Sequence, residues 1–127
     1  MRKFLMVLTA LALGTTGAIA NDAALGLWKS EPGETGGYIH VQISSCGEKL
    51  CGKIVDVIGN DNDKIIGKDI ILNMKIQGDG RYFGGTIWAP DQDKTYRSQM
   101  KLAGDDLTVK GCMAFVLCRS QSWTRIK

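Results

Sequence analysis

The sequence has little that could carry out catalysis. It contains a single histidine, His40, with no nucleophile motif beside it. A general base needs a nucleophile or a substrate next to it and usually an orienting carboxylate, and the residues around His40 suggest neither. We therefore interpret His40 as an exposed or hydrogen-bonded strand residue, and we expect that the protein is not an enzyme.

Metal and phosphate motifs are missing as well. Residues 61–63 begin like an EF-hand loop, but the positions that should hold a ligand and the glycine are Ile65 and Ile66. Residues 84–85 are both glycine, yet they lack the strand–loop–helix setting and the Lys-Ser/Thr ending of a phosphate-binding loop. Glycines inside a strand more often mark a bulge or a barrel corner. We expect no metal and no cofactor.

Proline is scarce, with two residues against sixteen glycines, and no long stretch has helical periodicity. Short segments instead alternate apolar and polar residues between turns rich in Gly, Asp and Asn. This pattern predicts about eight strands, near residues 25–30, 37–45, 51–58, 65–74, 81–88, 94–102, 107–112 and 116–125, the fourth being the weakest. Such a meander must close or stack to bury its apolar face. We expect a small antiparallel β-barrel, with a two-sheet sandwich as the alternative.

The first twenty residues have the three parts of a secretory signal. Arg2 and Lys3 are followed by the uncharged stretch 4–13 and then by small residues that end in an A-x-A pattern at Ala20. The apolar stretch is short for a membrane-spanning helix. We expect cleavage after Ala20, which leaves one domain, residues 21–127, without a membrane span.

The charge balance does not favour a nucleic-acid partner. The sequence has 16 Lys and Arg against 13 Asp and Glu, and two of the basic residues belong to the signal. The other basic residues are spread thinly along the chain and interleaved with acidic ones, whereas nucleic-acid binding needs a basic patch or stripe. We therefore exclude nucleic acid from the expected partners.

All four cysteines lie after the signal. An even count in a short exported chain predicts a disulfide framework with three possible connectivities. The spacing favours two local bridges, Cys46–Cys51 and Cys112–Cys118, each across a strand–turn–strand segment, while a crossed pairing stays open. A four-cysteine zinc site fits less well, because the second pair is too widely spaced. Disulfides place the protein in the periplasm or outside the cell.

Two short motifs resemble the lipocalins and the wider calycin group. A G-x-W motif, Gly26-Leu27-Trp28, begins the first strand, and Trp123 and Arg125 lie near the end of the last strand. In that group the arginine covers the Trp ring and closes one end of the barrel by a cation–π contact. The resemblance implies barrel-closing roles for Gly26, Trp28, Trp123 and Arg125.

A longer series of motifs resembles a family of small exported bacterial proteins, domain of unknown function 2147. In chain order the motifs are residues 26–28 (GLW), 50–55 (LCGKIV), 84–90 (GGTIWAP), 94–96 (KTY), 107–112 (LTVKGC) and 118–125 (CRSQSWTR). The resemblance covers nearly all of the chain after the signal and implies a lipocalin-like barrel. The sequence departs from the family pattern at residues 91–93, which are Asp-Gln-Asp where the family usually has a glycine before Lys-Thr-Tyr. This difference affects the expected shape of that loop only.

The aromatic residues raise the question of what fills the barrel. An eight-stranded barrel is just wide enough to be filled by side chains or to hold one small ligand, and both possibilities stay open at this stage. The candidate ligand-binding residues are Tyr38, Trp88, Tyr96, Arg97, Arg119 and Gln121. We expect a binding module for a small apolar or amphipathic molecule. The alternative is a solid barrel that binds proteins of the cell envelope.

Overall fold

The computed structural model describes residues 21–114 and 117–127, so the predicted signal, residues 1–20, lies outside the described residues. The strands are β1 (Gly26–Lys29), β2 (Tyr38–Cys46), β3 (Lys49–Ile58), β4 (Asp69–Gly78), β5 (Arg81–Ala89), β6 (Lys94–Ala103), β7 (Asp106–Met113) and β8 (Leu117–Arg125). Each strand pairs antiparallel with the next, and β8 pairs with β1. The predicted eight-stranded barrel is confirmed, and the sandwich is excluded. Within the described ranges, no helix is long and apolar enough to cross a membrane.

The fourth strand is present but begins later than the sequence predicted. The apolar segment 65–74 divides into the end of a 3-10 helix, Asp63–Ile65, and the first part of β4. Gly67 separates the two parts, because its φ of 94° lies in a region that residues with a side chain rarely adopt. Ile65 packs against the core from the loop. Its apolar character therefore reflects partial burial within the β3–β4 connection and not membership of a strand.

The two ends of the barrel differ. The β2–β3, β4–β5 and β6–β7 hairpins lie at one end, together with the segment 21–25 and the last residues of the chain. We call this the closed end. The other four connections, which include the long ones at 30–37 and 59–68, lie at the opposite end, which we call the open end.

The segment 21–25 covers the closed end. Trp28 is fully buried and its indole N–H donates to the Ala24 carbonyl at 2.9 Å. The Arg125 guanidinium lies 4.4 Å from the centroid of the Trp28 ring. The same guanidinium donates to the carbonyls of Ala23 and Leu25, at 2.5 and 3.2 Å. Trp28 and Arg125 therefore hold this segment in place together.

Gly26 makes the close contact at this end possible. Its φ is 137°, and a Cβ there would lie 2.8 Å from the Lys127 carbonyl oxygen and 3.2 Å from the Arg125 guanidinium. A side chain at this position would push the arginine away from Trp28. The glycine and the tryptophan of the G-x-W motif thus serve the same closure.

The middle of the barrel and its closed end are filled with side chains. The largest fully buried residues are Trp28, Val41, Ile43, Leu50, Ile54, Ile71, Met74, Leu107, Val109 and Trp123. They come from six of the eight strands and form one apolar cluster. Burial of this apolar surface is the main favourable contribution to folding.

Both predicted disulfides are present. Cys46–Cys51 closes the β2–β3 hairpin, and Cys112–Cys118 joins β7 to β8 near the open end. The described residues contain no free cysteine, so the crossed pairing and the zinc site are excluded. Each bridge closes a short loop, for which the chain-entropy estimate is about 2 kcal/mol. Two such bridges indicate an oxidising compartment.

Trp28→Ala tests the closure. We expect the free energy of unfolding to fall by about 3–5 kcal/mol, because the change removes a fully buried aromatic ring and leaves a cavity. Urea unfolding followed by circular dichroism measures the loss. A loss below about 1 kcal/mol would show that the ring contributes little to the closed end.

Tyr82 adds a pH-dependent contact to the closed end. Its hydroxyl donates to the Asp22 carboxylate at 2.7 Å, and the side chain is almost fully buried. Burial, then the hydrogen bond to Asp22, raise the pKa of Tyr82 well above its ordinary value. The pKa of the folded state is thus above that of the unfolded state. The neutral hydroxyl stabilises the fold fully below the unfolded-state pKa, and this contribution is lost as the pH rises above it.

The alkaline stability of the protein tests this contact. Above about pH 10, we expect the free energy of unfolding to fall by up to about 1.4 kcal/mol per pH unit through Tyr82. Urea unfolding between about pH 9 and pH 11 measures the slope. Tyr82→Phe is the matched variant, and its slope should be shallower by this amount. Equal slopes for the two proteins would rule out the contribution.

Candidate functional site

The pairing register identifies which side chains face the interior at the open end. Directly opposite residues of an antiparallel pair point to the same side of the sheet. Gln121 pairs with Val109, which is 1% exposed and belongs to the core. Arg119 pairs with Gly111, whose Cβ position would lie 3.0 Å from the Ile87 side chain. Gln121 and Arg119 therefore face the interior.

Both of these inward-facing side chains are nevertheless exposed. The reason is the short first strand, since β1 pairs with β8 at two positions, Trp28↔Arg125 and Lys29↔Thr124. Residues 117–122 of β8 have no strand beside them on that side in the described part of the chain. The Glu31 carboxylate accepts a hydrogen bond from the Ser122 amide at 2.9 Å there. The interior is thus open to solvent beside β8.

We call the inward-facing residues around this opening the mouth, and they combine apolar and polar side chains. Three half-buried aliphatic residues pack against the core below them. The others are an aromatic ring, a hydroxyl, a guanidinium and an amide. The mouth consists of Ile39, Val57, Ile87, Tyr96, Ser98, Arg119 and Gln121.

Gln121 and Arg119 have N–H groups in the mouth that can donate hydrogen bonds to a ligand. The Trp123 indole N–H donates to Gln121 Oε1 at 2.8 Å, which leaves the amide N–H groups of Gln121 directed elsewhere. The Tyr96 hydroxyl donates to Gln92 Oε1 in the β5–β6 connection. No described residue forms an ion pair or hydrogen bond with the Arg119 side chain. This set of groups suits the polar head of an amphipathic molecule, above all an anionic one.

Ser98 is a member of the mouth that we did not select from the sequence. It pairs with Gly111, one strand away from Arg119, and its side chain is 3% exposed. Its Oγ has no hydrogen-bond partner among the described residues. The signal was present in β6, where Ser98 stands between Tyr96 and Met100 on the face that is otherwise apolar.

The other three predicted ligand residues lie on the outer face of the barrel. Tyr38 contacts the Lys29 ammonium, 4.5 Å from its ring centroid. Trp88 pairs with Thr95, and its indole N–H donates to Asp93 at 3.0 Å. They do not share the interior with Tyr96, Arg119 and Gln121.

Arg97 faces outward as well, as its position in β6 shows. It pairs with Cys112, and it alternates along β6 with the inward-facing Tyr96 and Ser98. The structure thus divides the six predicted residues into three around the mouth and three outside the barrel.

His40 also lies on the outer face. Its Nδ1 is 3.8 Å from the Asp56 carboxylate, and its ring is 5.8 Å from that of Tyr38. None of these neighbours is a nucleophile of the kind used in acyl transfer. Across residues 21–114 and 117–127, no group of three His, Cys, Asp or Glu side chains could hold a metal ion.

Two concave regions were found on the outer face. One, of about 480 Å³, lies over β4, β5 and β6 and contains Trp88 and Ile70. The other, of about 450 Å³, lies over β5, β6 and β7 around Phe83. Both are shallow and open to solvent, so neither is an enclosed calyx.

The sequence pattern of a bacterial family, described as an uncharacterized protein conserved in bacteria (DUF2147), matches residues 26–125. The chain belongs to this family. The match begins at Gly26 and ends at Arg125, the two residues in contact at the closed end of the barrel. No protein with a curated description matches the sequence.

A solved structure resembles the DUF2147 chain over most of its length. It is described as protein HP1028 from the human pathogen Helicobacter pylori, which belongs to the lipocalin family. The TM-score is 0.67 at 15% sequence identity, over 81% of this chain and 82% of the other. This likeness shows that the DUF2147 chain has a lipocalin-like fold.

Ser98→Ala tests the unpaired hydroxyl of the DUF2147 protein. A buried hydroxyl without a partner costs about 1–3 kcal/mol, so we expect its removal to leave the free energy of unfolding unchanged or to raise it by about 1 kcal/mol. Urea unfolding measures the change. Met100→Ala in the same strand is the contrasting variant, which should lose about 2–5 kcal/mol. A clear loss with Ser98→Ala would show that the hydroxyl is hydrogen-bonded in solution.

Proposed function

We propose that this protein is an exported binding module, without catalytic activity, that holds a small amphipathic anion at the mouth of its barrel. The observation that carries the proposal is the position of Arg119. Its guanidinium faces the interior of an apolar barrel, is open to solvent and has no acidic partner among the described residues. A cation in this position suits a carboxylate or another anionic head group whose apolar part lies inside.

The filled core supports a shallow mode of binding. Trp28 and Trp123 occupy the interior towards the closed end, so a ligand has room only in the mouth. Its apolar part would contact Ile39, Val57 and Ile87. Its head group would lie near Arg119, with the amide of Gln121 and the hydroxyl of Ser98 as further hydrogen-bonding groups.

The compartment is part of the proposal. The first twenty residues have the pattern of a cleavable signal, and the two disulfides indicate an oxidising environment. We infer that residues 21–127 act in the periplasm or outside the cell. The ligand would then be a molecule of the envelope or its surroundings.

Dodecanoate is a suitable probe, because it joins a carboxylate to a single apolar chain. We expect binding by calorimetry, and we expect Arg119→Ala to weaken it at least about tenfold, since a hydrogen bond to a charged group contributes about 1.5–3 kcal/mol. Arg97→Ala is the matched control, because it removes the same side chain from the outer face. Equal losses in both variants would indicate a general effect of charge and refute the assignment.

Native mass spectrometry of protein purified from its own compartment complements the probe. A mass excess over the denatured chain by one discrete small molecule would support a carrier and supply the ligand for identification. The denatured mass should correspond to a chain that begins at Asn21 with both disulfides formed. No adduct, together with no binding of dodecanoate, would favour the alternative of a solid barrel that binds envelope proteins.

A further inference from the structure

The fold gathers positive charge on the outer face, away from the mouth. The concave region over β5, β6 and β7 contains Arg81, Phe83, Lys101 and Lys110, with Gln77, Gln99 and Thr108 between them. No acidic residue lines it. We call this region the cationic groove.

Two of its cations directly face each other. Arg81 on β5 pairs with Lys101 on β6, and both side chains are exposed on the outer face. Like charges at directly opposite positions of a sheet destabilise it. Neither side chain forms an ion pair with any described residue, so nothing in this part of the molecule relieves the repulsion. An anion bound between them would do so.

A second row of residues crosses the same strands beside this pair. Gln99 pairs with Lys110, and Lys75 on β4 pairs with Phe83 on β5. The Lys75 ammonium lies 5.7 Å from the Phe83 ring centroid. Phe83 is 41% exposed, although it is a large apolar side chain with cations on its own strand and on both neighbouring strands. The groove thus combines an accessible aromatic ring with positive charge.

The nearest acidic residues in the sequence lie outside the groove. Asp79 is in the β4–β5 turn, and Asp105 lies in the β6–β7 turn, where its carboxylate is paired with Arg125. Asp106, the first residue of β7, shares the outer face with Thr108 and Lys110 but does not line the groove. The domain as a whole has nearly balanced charge, whereas the charged residues that line the groove are all basic.

We propose that the cationic groove docks the protein on an anionic lipid surface. Basic side chains near such a surface are attracted by its negative potential, and a Phe among them inserts its ring at the level of the head groups. The groove is shallow and lies on the convex side of the barrel, which suits an extended surface better than a small enclosed ligand. The amides and the hydroxyl of the groove can donate to phosphate oxygens.

This docking is independent of the mouth. The charged side chains of the cationic groove face outward, whereas the residues of the mouth face inward. Arg81 and Lys101 lie towards the closed end of their strands. A protein docked in this way keeps its mouth free. Failure of one proposal therefore leaves the other standing.

Co-sedimentation with lipid vesicles tests the proposal. The probe is phosphatidylcholine vesicles with and without about 30% phosphatidylglycerol, at low salt and at about 0.5 M NaCl. We expect binding to the anionic vesicles alone and its loss at high salt. The double variant Arg81→Gln/Lys101→Gln should bind about 25-fold more weakly, at about fivefold for each charge removed. Phe83→Ala should weaken binding while leaving all charges in place.

The matched control is Lys64→Gln/Lys94→Gln, which removes the same charge from exposed sites outside the groove. Its vesicle binding should stay within about twofold of the unchanged protein. Equal losses in the two double variants would overturn the proposal, since net charge alone would then explain binding. Binding to soluble heparin without binding to vesicles would also overturn it and assign the groove to a soluble polyanion. Dodecanoate binding should be unaffected by the groove variants.

Discussion

The contact between Arg125 and Trp28 is the interaction on which the rest of the structure depends. β1 has four residues and pairs with β8 at two positions, so the ladder alone gives the barrel a weak seam. The guanidinium strengthens this seam, because it covers the Trp28 ring and binds two carbonyls of the segment 21–25. A cation–π contact shielded from water is worth about 2 kcal/mol or more. Removing it would expose the core and release the segment together.

The short first strand also explains why the other end is open. A first strand long enough to pair with all of β8 would cover residues 117–122 and close the barrel along its whole length. The chain instead leaves β8 after Lys29 and crosses through the loop 30–37. The inward-facing Arg119 and Gln121 are thereby left accessible, while Val109, one strand away, stays buried. Closure at one end and access at the other are two results of one short strand.

The sequence was informative where a local pattern determines the structure. Strict alternation in β6 located the strand and assigned its two faces. Because Arg97 and Tyr96 are adjacent in this strand, alternation already predicted that their side chains point to different faces and do not share an interior site. The start of the fourth strand was misplaced, because Ile65 packs against the core from the 3-10 helix and periodicity does not distinguish this contact from a strand. Ser98 was overlooked, although a serine on an apolar face is a detectable signal. The cationic groove could not be predicted, since Arg81 and Lys101 meet only through the β5–β6 register.

Two features of the described structure lower its stability, and they help to locate functional positions. The core and the closed end satisfy the usual requirements of a stable domain, with buried apolar side chains, a hydrogen-bonded indole and the Cys46–Cys51 disulfide. Against this stand the unpaired hydroxyl of Ser98 and the facing charges of Arg81 and Lys101. Each is a local conflict that a sequence selected for stability alone would remove, and such conflicts tend to mark functional positions. One lies at the mouth and the other on the outer face, so the two local conflicts coincide with the two surfaces for which we propose binding.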